Sequence, residues 1–205
     1  MCIRDRLMSV ELCSLTLQRD DTSVANFVAS GLFGDGAAAV VAVGCEHPLA
    51  QSDDPAAPEV LASRSRLYPD SERMMGWEIG SGGFRVVLDS AVPDLVRRYI
   101  GDDVRRFLAD HGLTCGDLDW YVAHPGGPKV LEALQDALGI ERDALSVTWD
   151  SLRRIGNLSS SSVLHVMADT LANRPPPPGS YGLMLAMGPG FCSELVLLRA
   201  PGGGQ

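Results

Sequence analysis

The segment Tyr121-Val122-Ala123-His124-Pro125-Gly126-Gly127-Pro128 decides how this chain folds, because it joins an apolar strand to a predicted helix. The run from Trp120 to Ala123 is typical of a buried strand, so we expect the imidazole of His124 to emerge at the strand's carboxyl edge. Downstream, Asn157 precedes a run of small residues that opens another predicted helix. An imidazole and a carboxamide side by side can donate two hydrogen bonds to one developing oxyanion. That arrangement suits thioester chemistry, for which a cysteine is the natural third member.

Four segments of the chain resemble the carboxyl-terminal half of a type III polyketide synthase, the chalcone-synthase-like group, and they follow the family order. They read GLFGDGAAAVV (31–41), AHPGGP (123–128), GNLSSSSVL (156–164) and AMGPGF (186–191). The resemblance runs from about Val10 to Leu198. It implies an α/β fold with thiolase-like layers: the carboxyl-terminal half, plus the last strand and helix of the amino-terminal half.

The resemblance also implies a division of the chain. Residues 7–46 would end the amino-terminal half and form its junction, 47–58 a surface loop, and 59–199 the carboxyl-terminal half. We expect residues 1–6 to be a disordered or artefactual start and residues 200–205 a flexible tail. The family's nucleophilic cysteine precedes the region that matches Val10. We therefore expect these residues alone to be inactive, with an apolar face left exposed.

The two catalytic residues implied by the resemblance are His124 and Asn157. His124 would pair with the family's cysteine thiolate and then donate to the thioester carbonyl, and Asn157 would be the second oxyanion donor. Taken alone, each residue has a simpler interpretation, as a strand-end histidine and as a helix cap. The glycines after His124 favour the catalytic role, because they allow a ligand to approach the backbone closely.

The substrate-binding residues implied by the resemblance lie in four regions of the chain. Phe33 and Phe84 would be gatekeepers between a CoA tunnel and an acyl cavity, although isolated phenylalanines are more often core residues. The remaining predicted cavity residues are Cys13, Thr16, Met75, Met187, Gly188 and Pro189. The predicted CoA-binding residues are Gly126, Gly127 and Lys129.

The cysteines do not predict a metal or a disulfide framework. The chain has five, with no CxxC pair and an odd count, so we expect no metal, no bound cofactor and a reducing cytoplasm. Cys13 follows Glu11 on a predicted strand. Since no base or helix start lies beside it in sequence, we expect it to line the cavity and not to act as the nucleophile.

The net charge of -9 argues against non-specific binding to nucleic acid or to an acidic membrane. No stretch reaches the roughly 18 to 20 apolar residues of a membrane span. The partners that the resemblance implies are instead acyl-CoA and malonyl-CoA, with a homodimer when the enzyme is complete.

The hydrophobic pattern predicts alternating strands and helices. We expect strands over 7–17, 37–43, 60–67, 77–88, 120–123, 181–186 and 191–198, with 77–88 interrupted by Gly80, Gly82 and Gly83. We expect helices over 22–32, 93–112, 128–138 and 159–172. The run 37–43 is continuous enough to predict a strand covered on both faces.

Four functions are compatible with these residues. The first is a polyketide synthase that condenses malonyl-CoA with an acyl-CoA starter and then cyclises the product. A ketoacyl-synthase III-like enzyme would condense once. A cysteine hydrolase would use Cys13 with His124 and Asn157. A non-catalytic fragment would serve only for dimerisation.

Overall fold

The computed structural model describes residues 4–51 and 57–202 of the chain. Its strands are β1 (Arg4–Glu11), β2 (Gly36–Val43), β3 (Glu59–Leu67), β4 (Met75–Gly80), β5 (Gly83–Leu88), β6 (Leu118–Ala123), β7 (Tyr181–Gly188) and β8 (Cys192–Arg199). Its α-helices are α1 (Val24–Leu32), α2 (Val92–Ala109), α3 (Pro128–Leu138), α4 (Ser146–Ile155) and α5 (Ser162–Asn173). The predicted α/β fold is confirmed.

A four-stranded sheet in the order β3-β8-β7-β6 forms the centre of the molecule. Strands β6 and β7 are parallel, while β8 is antiparallel to both β7 and β3. The parallel pair requires a long crossover, and α3, α4 and α5 lie within it. Both predicted catalytic residues lie in this crossover, His124 at its start and Asn157 between α4 and α5.

Both faces of this sheet are buried at β6, β7 and β8, as β6 shows residue by residue. Tyr121 and Ala123 face the larger core, which α2 and α3 cover, whereas Trp120 and Val122 face a smaller core that includes Val166 of α5. This alternation follows the two-residue period of a strand. The result is a layered arrangement with helices on both sides.

A separate two-stranded sheet, β1–β2, packs beside the segment that follows Asn157. The hydroxyl oxygens of Ser9 and Ser160 are 2.6 Å apart, and the backbone N–H of Ser160 donates to the Glu11 carboxylate over 3.2 Å. A Cβ atom at Gly36 would lie only 2.7 Å from the Ser161 hydroxyl oxygen, so β2 approaches this segment closely.

The apolar side chains on this smaller sheet and on α1 are largely exposed. They include Leu7, Met8, Val10, Val24, Phe27, Val40 and Val41. The expected exposed apolar face is therefore present. The prediction that β2 is covered on both faces is wrong for the described residues, because no described layer packs over Val40 and Val41.

The ends of several elements differ from the sequence prediction. Strand β1 begins at Arg4, inside the segment 1–6 predicted to be disordered, because the backbone of residues 4–6 pairs with 41–43 whatever the side-chain charge. The predicted strand 77–88 is a hairpin, β4–β5, which turns at Gly80–Gly83. Helix α4 was not predicted. Residues 1–3, the loop residues 52–56 and the tail residues 203–205 lie outside the described residues.

No helix in 4–51 or 57–202 is long and apolar enough to cross a membrane.

The contact between β6 and β7 leaves no room for a side chain at Gly182. A Cβ atom there would lie 2.2 Å from the Trp120 ring. We expect Gly182→Ala to lower the free energy of unfolding by about 1–3 kcal/mol, because the Trp120 ring would have to move within a packed core. Urea denaturation measures the loss.

The matched control is Gly116→Ala, because a Cβ atom at Gly116 makes only ordinary contact with Thr114. Equal stability of the two variants would show that the sheet tolerates a wider spacing at Trp120.

Candidate functional site

His124 follows directly after the last residue of β6. Its backbone N–H donates to the carbonyl of Leu185 over 2.9 Å, which extends the parallel pairing with β7 by one residue. Its own carbonyl accepts a hydrogen bond of 2.8 Å from the N–H of Gly126, so the chain turns at once. The side chain is half-buried at the carboxyl end of the strand, as the sequence predicted.

Burial lowers the pKa of His124 to about 4, because the charged imidazolium loses its hydration. The ring is therefore neutral at physiological pH. A neutral imidazole carries one N–H donor and one acceptor nitrogen. It can donate to an oxyanion without first being charged.

Asn157 is clamped through its backbone to the end of α1. Its N–H donates to the carbonyl of Leu32 over 2.8 Å, and its carbonyl accepts from the N–H of Gly34 over 2.9 Å. Because these two bonds go to the residues on either side of Phe33, Asn157 and Phe33 form a parallel β-bridge. The preceding Gly156 has φ +73°, and a Cβ atom there would lie 2.7 Å from the Leu32 carbonyl oxygen. Glycine is therefore required for the clamp to close.

The carboxamide of Asn157 is oriented by two hydrogen bonds. Its oxygen accepts from the backbone N–H of Ser159 over 2.8 Å, which leaves the nitrogen facing the other way. That nitrogen donates to the carbonyl of Gly126 over 3.3 Å. A carboxamide has two N–H donors, so one remains for a ligand. The residue acts as a local cap and keeps a donor free.

Asn157 thus reaches the loop that begins at His124, although the two residues lie at opposite ends of the α3–α4 segment. Asn157 itself is only 2% exposed. A single oxyanion position about 3 Å from both donors stays a prediction.

The two predicted gatekeepers lie on separate elements. Phe33 is half-buried and ends α1 at the Asn157 bridge. Phe84 is 50% exposed on the β4–β5 hairpin, where its ring contacts Trp77 edge-on at 6.1 Å. A half-exposed ring does not fill the core of the described residues, and the role of Phe84 as a gatekeeper stays a prediction.

Gln18 is a functional candidate that sequence reasoning missed. Its side-chain nitrogen donates to the carbonyl of Phe84 over 2.9 Å. Asn26 in turn donates to the carbonyl of Gln18 over 2.8 Å. These bonds attach the hairpin to the segment before α1. No local pattern could show a contact between residues so far apart in the chain.

Cys13 and Thr16 lie on a short 3₁₀ helix and not on the predicted strand. The Thr16 hydroxyl donates to the carbonyl of Cys13 over 2.8 Å, so the chain coils here instead of extending. Burial, followed by the nearby charges of Glu11 and Asp35, raises the pKa of the Cys13 thiol. This thiol stays protonated at neutral pH, which disfavours it as a nucleophile.

The predicted cavity residue Met75 bonds through its backbone to the turn between β7 and β8, which follows Met187. Met187 is buried in the larger core and Met75 packs against it. The carbonyl of Met75 accepts a hydrogen bond of 3.3 Å from the N–H of Gly190, which follows Gly188 and Pro189 in the turn. The structure therefore brings these four predicted residues together.

The predicted CoA-binding residues flank the start of α3. Gly126 and Gly127 form the loop after His124, and Gly127 has φ +148°. Lys129 is exposed in the first turn of the helix. An exposed ammonium at this place can meet an anionic group of a ligand. Among the described residues, no group of three or more acidic, histidine or cysteine side chains is arranged to hold a metal.

A model of the family described as chalcone and stilbene synthases, C-terminal domain, matches residues 59–201 of this chain. The chain belongs to this family. Among curated proteins, it is 56% identical over 193 residues to a 1,3,6,8-tetrahydroxynaphthalene synthase of Streptomyces peucetius subsp. caesius, covering 94% of this chain and 50% of that one. It is 33% identical over 198 residues to a 3,5-dihydroxyphenylacetyl-CoA synthase of Streptomyces toyocaensis, covering 94% of this chain and 50% of that one.

Solved type III polyketide synthases have the same fold. The 1,3,6,8-tetrahydroxynaphthalene synthase of Streptomyces coelicolor A3(2) matches with a TM-score of 0.88 at 28% identity, over 97% of this chain and 54% of that one. The type III domain of Steely1 from Dictyostelium matches with a TM-score of 0.82 at 29% identity, over 96% and 54%. This chain, a chalcone and stilbene synthase family member, spans about half the length of these relatives.

An open depression of about 530 Å³ lies beside the hairpin, lined by residues 17–22, Gly82 and Arg85. None of the predicted catalytic residues lines it. Its lining is mostly polar and charged, unlike that of a typical apolar acyl site. We therefore place the candidate site of this family member at His124 and Asn157 and not in this depression.

The low pKa of His124 can be measured directly. Its imidazole should titrate with a midpoint of about 4, against about 6.5 for an unperturbed histidine. Between these two pH values His124 is protonated in the unfolded chain but not in the folded chain, so a fall in pH favours unfolding. The contribution of His124 to the free energy of unfolding is therefore complete above about pH 6.5 and is lost as pH falls towards 4. NMR of the imidazole protons gives the midpoint.

His124→Gln is the matched variant, since it keeps a polar side chain without the titration. It should flatten the dependence of unfolding free energy on pH in this window. An His124 midpoint near 6.5 would contradict the burial argument.

Phe84→Ala should cost little stability, because half of the ring is already in water. We expect a loss in unfolding free energy below about 2 kcal/mol, against about 3–5 kcal/mol for a fully buried phenylalanine. Phe107→Ala, at a fully buried position, is the control in the same urea titration. Similar losses in the two variants would return Phe84 to the core.

Proposed function

We propose that this chain supplies the oxyanion-binding half of a type III polyketide synthase, which condenses malonyl-CoA with an acyl-CoA starter by decarboxylation and cyclises the product. The observation that carries the proposal is the oriented carboxamide of Asn157. Its oxygen is occupied by the Ser159 N–H, and its nitrogen points to the loop after His124. Family membership and the relatives' printed names support the same chemistry.

The reaction makes one carbon–carbon bond in each cycle. A cysteine thiolate attacks the carbonyl carbon of the acyl-CoA, and the CoA thiolate leaves. Malonyl-CoA then loses CO₂, and the electron pair of the broken bond forms an enolate. The enolate carbon attacks the acyl-cysteine, and the cysteine thiolate leaves again. Two kinds of species in this cycle carry negative charge on oxygen. They are the tetrahedral intermediates of the acyl-transfer steps and the enolate.

His124 and Asn157 are suited to these oxyanions for different reasons. Asn157 is neutral and donates a hydrogen bond without losing its proton, so it can stabilise the enolate without quenching it. His124 is neutral when its site is dry, and a thiolate placed beside it would favour the imidazolium. The imidazolium would then lower the thiol pKa in return.

The thiolate is proposed to come from outside the described residues. Burial raises the pKa of both Cys13 and Cys192, and acidic neighbours raise each further. Neither thiol is poised to carry an acyl group. The same finding disfavours the cysteine-hydrolase alternative.

Acyl-CoA and malonyl-CoA are the proposed substrates, with no bound cofactor and with a homodimer as the complete assembly. Phe33 and Phe84 are proposed as gates between CoA and the acyl cavity. An aromatic face beside a malonyl carboxylate would help to desolvate it and so favour the loss of CO₂.

The test joins this chain to the half of the Streptomyces peucetius synthase that it does not match. The 205 residues alone should release no CoA from malonyl-CoA and a fatty acyl-CoA, whereas this hybrid should release CoA and form cyclised products. Thiol titration measures CoA, and mass spectrometry identifies the products. Turnover by the isolated chain that disappears in Cys13→Ala would overturn the proposal.

Asn157→Asp isolates the carboxamide donor in the hybrid. It keeps an oxygen for the Ser159 N–H but removes both N–H donors, so CoA release should fall by about 100-fold or more. Asn173→Asp, at an exposed position on α5, is the matched control and should leave the rate unchanged. Equal rates in both variants would exclude Asn157 from the oxyanion site.

A further inference from the structure

A buried hydrogen-bond network lies beneath the turn between β7 and β8. The Tyr68 hydroxyl donates to one carboxylate oxygen of Asp103 on α2, and Arg66 donates to the other. The hydroxyl oxygens of Tyr68 and Ser193 are 2.9 Å apart. Because Tyr68 gives its only proton to Asp103, Ser193 is the donor in this second bond. The network therefore joins β3, α2 and β8.

Burial and the bond to Asp103 raise the pKa of Tyr68 well above its usual range. The Tyr68 hydroxyl is therefore protonated at neutral pH. Tyr68, Asp103 and Ser193 are all buried. The direction of each hydrogen bond is consequently set.

The same segment holds the backbone of the turn from the other side. The Ser71 hydroxyl donates to the carbonyl of Tyr68 over 2.6 Å and accepts from the N–H of Phe191 over 3.0 Å. The N–H of Tyr68 donates to the carbonyl of Phe191 over 3.0 Å. Together with the bond from Gly190 to Met75, three backbone groups of the turn have partners in 68–75.

These contacts leave the turn little freedom to move. Met187 pairs with Ser193 in the β7–β8 register, so the Tyr68 network reaches the strand position opposite a predicted cavity residue. Gly190 has φ +123°, and a Cβ atom there would lie 2.9 Å from the Leu67 side chain. The turn is bounded on the side of β3 as well.

A buried carboxylate with a partner is weak support for stability, since apolar side chains in the same space often stabilise as well or better. Directional hydrogen bonds, in contrast, specify one geometry. We propose that Tyr68, Ser71 and Asp103 are positioning residues that fix the turn from Gly188 to Phe191 and thereby decide how the polyketide is cyclised. The effect on cyclisation rests on the function proposed above.

The first experiment uses the 205-residue chain and needs no activity. Tyr68→Phe keeps the ring, its stacking on Tyr99 and its backbone bond, and removes only the hydroxyl. Hydrogen exchange followed by mass spectrometry should show the amides of Gly190 and Phe191 exchanging about tenfold faster. Peptides from α3 should be unchanged, because they report the stability of the whole fold.

Tyr99→Phe is the matched control, since it removes a hydroxyl from the neighbouring ring outside the network. Ser71→Ala is the second variant and should speed exchange at Phe191 in the same way. Unchanged exchange at the turn in both Tyr68→Phe and Ser71→Ala would overturn the proposal.

The second experiment measures products in the hybrid enzyme. Tyr68→Phe and Ser71→Ala should change the ratio of cyclised to uncyclised products while CoA release from malonyl-CoA continues. A merely structural role would lower CoA release and all products together at a constant ratio, and that result would overturn the proposal. If the unmodified hybrid is inactive, the proposed function and the effect on products are both refuted. The hydrogen-exchange rates would still decide whether the network fixes the turn.

Discussion

Apolar packing on both faces of β6, β7 and β8 fixes the register of the central strands, and His124 of the candidate site lies at the end of β6. Trp120 and Val122 pack on one face of β6 while Tyr121 and Ala123 pack on the other. A shift of one residue would exchange the two faces, at a large cost in buried apolar area. The register therefore fixes the position and direction in which His124 leaves the strand. Burial at this position lowers the pKa of the imidazole, so the ring is neutral.

Asn157 depends on a second constraint, which is the close approach of two backbones. The bridge to Phe33 joins the crossover to the end of α1, and it closes only because Gly156 has no side chain. The carboxamide then has its oxygen occupied and its nitrogen directed at Gly126. A donor held in this way needs little reorganisation when charge develops on a substrate.

Polar networks hold the parts of the proposed cavity that lie farther from His124. Gln18 attaches the Phe84 hairpin, while Tyr68 and Ser71 attach the turn after Met187. In both places a side chain from an earlier segment bonds to the backbone of a later one. The apolar side chains of β1, β2 and α1 are exposed, because no described layer packs over them. This exposure is consistent with the chain's relatives, which are about twice as long.

Local patterns in the sequence determined much of the architecture. Apolar residues at spacings of three and four predicted α1, α2 and α3, and the short apolar runs predicted β6, β7 and β8, because these signals depend only on the period of each element. The motifs around His124 and Asn157 indicated the family. The hairpin at Gly80–Gly83 is local, and the alternating pattern on both sides of it looked like one strand. Only the tertiary structure decided the bonds from Gln18 and Ser71 and the 3₁₀ helix at Cys13, in which Ser14 donates to Asp35, because these depend on hydrogen bonds between distant segments. The orientation of Asn157 belongs to the same group: its side chain is set by Ser159 and Gly126, and its backbone by Leu32 and Gly34, three of which lie far from it in the chain.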